Sequence, residues 1–254
     1  MFVAVTFFFF IDDILTATHT LDFEEEQYML PFKVSPHIVT VRDTYPSAPD
    51  IARVAAHGGE ESHLALARLW LSEGIPFAFR EVPGIYEAIR AWLSIRLTVD
   101  PKEITIIGSA RVGQALSPGE SFGKPFSEKS DIDLSIVSLS LFERLRDEFN
   151  AWAYGYETGE VKHRNAREKI FWDDNLSRVQ KILRRGFIDA KLIPLFAKYP
   201  IAQSVGQSMY LLREKLRLTE GAPKVIEANL RAYRNWDSFA RQLALNLFFI
   251  VGQG

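Results

Sequence analysis

The chain has 254 residues, a formal net charge of −2 and no cysteine. Its 47 % hydrophobic and 24 % charged content supplies an ordinary soluble core, and the missing thiols exclude disulfides, thiolate nucleophiles and cysteine-based zinc sites. A near-neutral balance also excludes an electrostatic nucleic-acid binder as a whole.

The charge is nevertheless segregated. Residues 1–60 carry nine acidic and three basic side chains, whereas residues 160–185 carry eight basic and four acidic. The opening run Phe2–Ile11 is apolar but too short to span a bilayer, lacks a basic flank and meets Asp12-Asp13 at once. A strand over Val3–Ile11 in a cytoplasmic, non-membrane protein is expected. Phe32–Val41 reads as a second extended segment broken by Pro36, and Tyr45-Pro46-Ser47-Ala48-Pro49 as a loop. His19, His37, His57 and His63 are scattered without metal-ligand spacing.

From Glu60 the apolar spacing turns helical, with Gly74 and Pro76 ending a first helix. A second helix starts near Pro83-Gly84 and ends at Asp100-Pro101, feeding a strand at Ile104. Further on, a helix is expected over 140–152, broken by Tyr154-Gly155-Tyr156, and a basic helix over 161–185 ends at Gly186. The basic helix presents either a solvated face or a patch for an acidic partner. Phe187–Pro194 is ambiguous between strand and loop. Two helices, 201–218 and 224–251, complete the pattern, the last with an apolar face for the core or a protein partner.

The chemistry concentrates in residues 104–138. An apolar run ends in Gly108-Ser109, and Asp131-Ile132-Asp133 opens a second apolar run. Alternation along a strand puts Asp131 and Asp133 on one face, where paired carboxylates suit a divalent cation better than a core. A glycine turn followed by a hydroxyl suits close approach to phosphate, and Arg111 offers a bidentate contact.

These residues, a strand into Gly108-Ser109 and then Ser130-Asp131-Ile132-Asp133-Leu134, resemble the nucleotidyltransferase superfamily that includes DNA polymerase β. The resemblance implies an α+β fold, a small mixed β-sheet flanked by helices with a helical C-terminal region. It also implies Mg²⁺ (or Mn²⁺) held by Asp131 and Asp133, and NMP transfer from an NTP to a hydroxyl of an RNA, protein or small molecule. Small stand-alone prokaryotic members of that superfamily include toxin–antitoxin and phage-defence proteins. Gly108, Ser109 and Arg111 would hold the triphosphate. The spacer of residues 110–130 is long for the family, which predicts an inserted loop beside the site with Lys124 near phosphate or acceptor. A third carboxylate usually completes such sites. Asp189 either fills that role from a strand or caps the following turn. The segments divide as 1–100, an N-terminal extension with helices; 101–195, the nucleotidyltransferase core; and 196–254, a helical region. The alternative function is a weak or inactive member of the fold, acting as nucleotide sensor, antitoxin or assembly subunit.

Overall fold

A computed structural model describes residues 31–251 of the chain. Two units are distinguished, Met1–Val34 and Ser35–Gly254; of the first only residues 31–34 are described, without regular secondary structure. The strand expected over Val3–Ile11 lies outside the described residues.

The second unit contains eight α-helices and four strands, in the order α1 (Pro36–Val39), α2 (Ala48–Leu69), α3 (Pro83–Leu97), β1 (Ile104–Ile107), α4 (Ser109–Val112), β2 (Ile132–Val137), α5 (Leu139–Glu157), α6 (Ala166–Arg184), β3 (Phe187–Asp189), α7 (Pro200–Leu218), β4 (Ala228–Tyr233) and α8 (Trp236–Phe248). The strands form one mixed sheet ordered β1-β2-β4-β3. β1 and β2 are antiparallel, β2 and β4 parallel, and β4 and β3 antiparallel. The α+β expectation therefore holds, with a small mixed sheet between helices.

Side-chain alternation sorts the sheet into two faces. Ile104, Ile106, Ile132, Leu134, Ile136, Leu230 and Ala232 enter the larger core with α3, α5, α6 and α7, around Leu93, Phe149, Trp152 and Leu212. Val137, Phe187 and Tyr233 face a second core built by α2 and α8, around Ile51, Leu66, Phe239 and Leu247. The apolar face of α8 is thus spent largely within the chain. Among the described residues no helix is long and apolar enough to cross a membrane.

Several local expectations are corrected. Residues 36–39 form a helical turn, because Pro36 sits at its first position, where a missing N–H costs nothing. α2 begins twelve residues before Glu60: Ser47 caps it, accepting from the Asp50 amide, and Pro49 fits its first turn. Gly59, at φ 66°, ψ −171°, interrupts the helical backbone, so α2 is two helical stretches meeting at a kink, the second beginning at Glu60 as expected. Gly155 continues α5 and lets Val161 pack closely; a Cβ there would lie 2.9 Å from Val161 Cγ2. Most consequential, the segment expected as one helix over 224–251 contains β4, and only its second part is helical. α7 has no cap of its own. The Glu148 carboxylate of α5 accepts from the Ile201 and Ala202 amides, both at 2.8 Å.

Candidate active site

Four chain segments meet at one edge of the sheet: the end of β1, the starts of β2 and β4, and the end of β3. This follows from strand direction, since β1 runs against β2 and β3 against β4. Ile107 pairs with Asp133, so Gly108 leaves β1 alongside the start of β2. Gly108 adopts φ 71°, ψ −152°, and a Cβ there would stand 3.4 Å from Asp133 Oδ2. The chain then turns into α4. The Gly108 carbonyl accepts from the Arg111 and Val112 amides, while the Ser109 and Ala110 amides open the helix, where first-turn N–H groups lack intrahelical partners.

Gly108, Ser109, Asp133, Asp189, Asn229 and Arg231 all line a cavity of about 520 Å³. Ala115, Leu116, Ser117 and Pro118 form one wall, and Leu243, Asn246, Leu247 and Phe249 from the C-terminal helical segment form another. The long spacer is a compact hairpin, tied by Ala115 N–H to Lys124 O at 2.8 Å and Gly123 N–H to Ala115 O at 2.9 Å. Its first arm borders the cavity. Lys124 is exposed on the second arm and does not line it.

Asp131 precedes β2 and is half-buried, and its Oδ1 is buried without a hydrogen-bond partner among the described residues. Burial pushes its carboxyl pKa up, and the neighbouring Asp133 and Glu227 charges add to the rise. Asp133 Oδ1 accepts from Asn229 Nδ2 at 3.2 Å, and the Asn229 Oδ1 is itself buried with no partner among the described residues. Asn229 occupies the register position beside Asp133 on the adjacent parallel strand.

Asp189 is placed as the capping alternative describes, at the end of a short strand. It ends β3, and its Oδ1 also caps the following turn by accepting from the Lys191 amide at 3.1 Å. β4 lies between β3 and β2, and Asp189 is level with Ser135, two residues along from Asp133, so at ~4.8 Å per strand and ~3.3 Å per residue their backbones are roughly 12 Å apart. No group of three or more His, Asp or Glu side chains converges on a metal-sized site among the described residues. Asp189 thus shares the cavity with Asp133 but not a metal cluster with Asp131 and Asp133.

No family model, curated protein or solved structure matches the chain.

Arg111 is placed behind the turn. It is 3 % exposed, its Nη1 donates to the Ile75 carbonyl at 2.5 Å, and burial lowers its pKa. Its guanidinium lies 6.0 Å from the Tyr45 ring, so it joins the turn to the 74–76 loop rather than lining the cavity. On the basic segment Arg164–Glu168 and Lys169–Asp173 pair at 2.9 and 2.6 Å. Trp172 within it is buried in the larger core.

Sequence reading passed over Asn229 and Arg231 because it placed them on a helix. The signal was present: Ala228, Leu230 and Ala232 alternate with Asn229 and Arg231, the period-two pattern of a half-buried strand.

Proposed function

We propose that the chain is a nucleotidyltransferase that binds an NTP in the cavity between the Gly108 turn, β2 and α8, and transfers its NMP to a hydroxyl acceptor. The observation that carries this reading is the placement of Gly108 against the Asp133 carboxylate, with both in the wall of one cavity large enough for a nucleotide. A backbone turn without a side chain lets phosphate approach closely, and the Ser109 hydroxyl and the opening amides of α4 supply its donors.

The donor set fits a Mg²⁺ or Mn²⁺ ion. Asp131, two residues before Asp133 and outside the cavity lining, has a buried Oδ1 with no partner among the described residues, and one or two carboxylates plus substrate phosphates are the usual way such ions are held. When bound, the ion neutralises triphosphate charge and favours in-line displacement. Asp131 and Asp133 are the residues that would hold it. The Asn229 amide keeps Asp133 Oδ1 oriented. In the reaction the acceptor oxygen bonds to the α-phosphorus as the bond to the β-phosphate oxygen breaks. Pyrophosphate leaves with that electron pair, and the hydroxyl proton passes to water.

A second reading, a nucleotide-binding module without turnover, is favoured by Asn229 standing beside Asp133 where a carboxylate would strengthen the metal site. An assay separates the two. Purified chain is incubated with each NTP labelled at the α-phosphate, Mg²⁺ or Mn²⁺, and an RNA, protein and metabolite extract. Labelled product that disappears in Asp131→Asn and Asp133→Asn supports transfer. A rise in melting temperature with NTP but no label in any pool supports the binding module. Neither effect refutes both.

A further inference from the structure

The cavity wall contains one cation that the paired carboxylates do not account for. Arg231 lies on β4, between Ser135 of β2 and Asp189 of β3, and points to the same face as Asn229 and Asp133. Its guanidinium carbon stands 4.9 Å from the Phe187 ring centroid, which supports the guanidinium plane. Its nearest carboxylate contact, Nη2 to Asp189 Oδ2, is 4.0 Å. That is an ion pair but too long for a hydrogen bond. Arg231 Nε is buried with no partner among the described residues. Burial works against the charge, but Tyr233, Asp189 and Asp133 outweigh it and hold the pKa above its usual value. The guanidinium therefore stays charged in the wall of the cavity, beside Tyr233 and Asp189, with its Nε unpartnered among the described residues.

Asp189 has the complementary character. One of its oxygens is committed to the Lys191 amide and the other faces Arg231. A carboxylate used in this way is a poor metal ligand and a good orienting partner for a guanidinium.

Resting on the nucleotidyltransferase reading, we infer that Arg231 binds the pyrophosphate end of the nucleotide, with Asp189 as its positioning residue and not a metal ligand. Nucleotide binding then exchanges a long ion pair for a bidentate phosphate contact. During transfer the same guanidinium faces the oxygens on which leaving-group charge develops.

Calorimetric titration with Mg²⁺–pyrophosphate, NTP and NMP, and separately with Mn²⁺ alone, tests this. Arg231→Ala should weaken pyrophosphate and NTP binding roughly tenfold or more and leave NMP binding unchanged, with Arg231→Lys falling between. Asp189→Asn should weaken pyrophosphate binding roughly two- to fivefold by releasing the guanidinium, and leave Mn²⁺ affinity unchanged. Should Arg231→Ala not fold, the Arg231→Lys and Asp189→Asn titrations still decide the matter. Equal pyrophosphate affinity in wild type and the Arg231 variants overturns the inference and leaves the nucleotide site standing. A tenfold loss of Mn²⁺ affinity in Asp189→Asn overturns it too, by making Asp189 a ligand. Wild-type protein that binds neither NTP nor pyrophosphate overturns the underlying reading itself.

Discussion

Replacing Gly108 with alanine separates backbone strain from steric clash at the turn. Gly108 sits at φ 71°, ψ −152°, a region that is essentially closed to residues with a Cβ. The new Cβ would meet Asp133 Oδ2 at 3.4 Å, an ordinary van der Waals contact, so little of the penalty is collision. The cost is therefore conformational, about 2 kcal/mol within a typical range of 1–3 kcal/mol. For a chain of this size each kcal/mol lowers the melting midpoint by roughly 2–4 °C, which gives a fall of about 4–8 °C in Gly108→Ala. Gly84, in the first turn of α3 with open space around it, is the control. Gly84→Ala should be neutral or stabilising by up to about 1 kcal/mol. Differential scanning calorimetry of both variants without ligand measures the pair. A Gly108→Ala protein within about 0.5 kcal/mol of wild type would refute the argument, because it would mean that the turn relaxes to a conformation alanine accepts.

Other perturbations test neighbouring parts of the structure. Arg111→Met leaves the Ile75 carbonyl without its donor and should cost about 1–3 kcal/mol in denaturant unfolding while NTP affinity stays unchanged; lost affinity at full stability would return Arg111 to the phosphate site. Asp131 has a folded-state pKa above its unfolded value, so it binds its proton more tightly when folded, and stability falls as pH rises from the unfolded pKa through the raised one. Metal-free Asp131→Asn should therefore melt higher than wild type at pH 7, with the gap closing below pH ~3.9. A gap that does not change with pH would contradict this. Glu148→Ala uncaps α7 by orphaning two amides and should cost about 1–2 kcal/mol, read by the chemical denaturation midpoint; an unchanged midpoint would mean that solvent replaces the cap without loss.

What the sequence disclosed depended on how local its signals were. β1, the Gly108 turn and β2 were legible because an apolar run stopped by Gly-Ser, and another opened by Asp-Ile-Asp, state their structure over a few residues. α3 was legible from Pro83 and its apolar spacing. The start of α2 was hidden because Pro46 and Pro49 read as loop residues until Ser47 is seen to cap between them. β4 was hidden because Leu243–Phe249 imposed a helical period on a window that also held residues 228–233. The site suffered accordingly. Asp133 and the turn were found. The partner beside Asp133 and the cation in the wall were not, since only long-range pairing brings Asn229 and Arg231 to residue 133. Arg111 illustrates the converse, because spacing alone does not say on which side of a short helix a long side chain is buried.

The late position of β4 has a consequence for how the sheet is made. β3 touches the rest of the sheet only through β4, and β2 has one neighbour until β4 arrives. Joining β2 to β4 closes a loop of about a hundred residues, an entropic cost of roughly 4 kcal/mol before any ladder bond is gained. Until that closure β2 carries an unpaired apolar edge, open to pairing with another chain. Pairing of β3 and completion of β2 therefore both wait on β4. Substitutions in residues 228–233 and in β1, which is already paired when β4 arrives, should both slow refolding in proportion to the stability they remove.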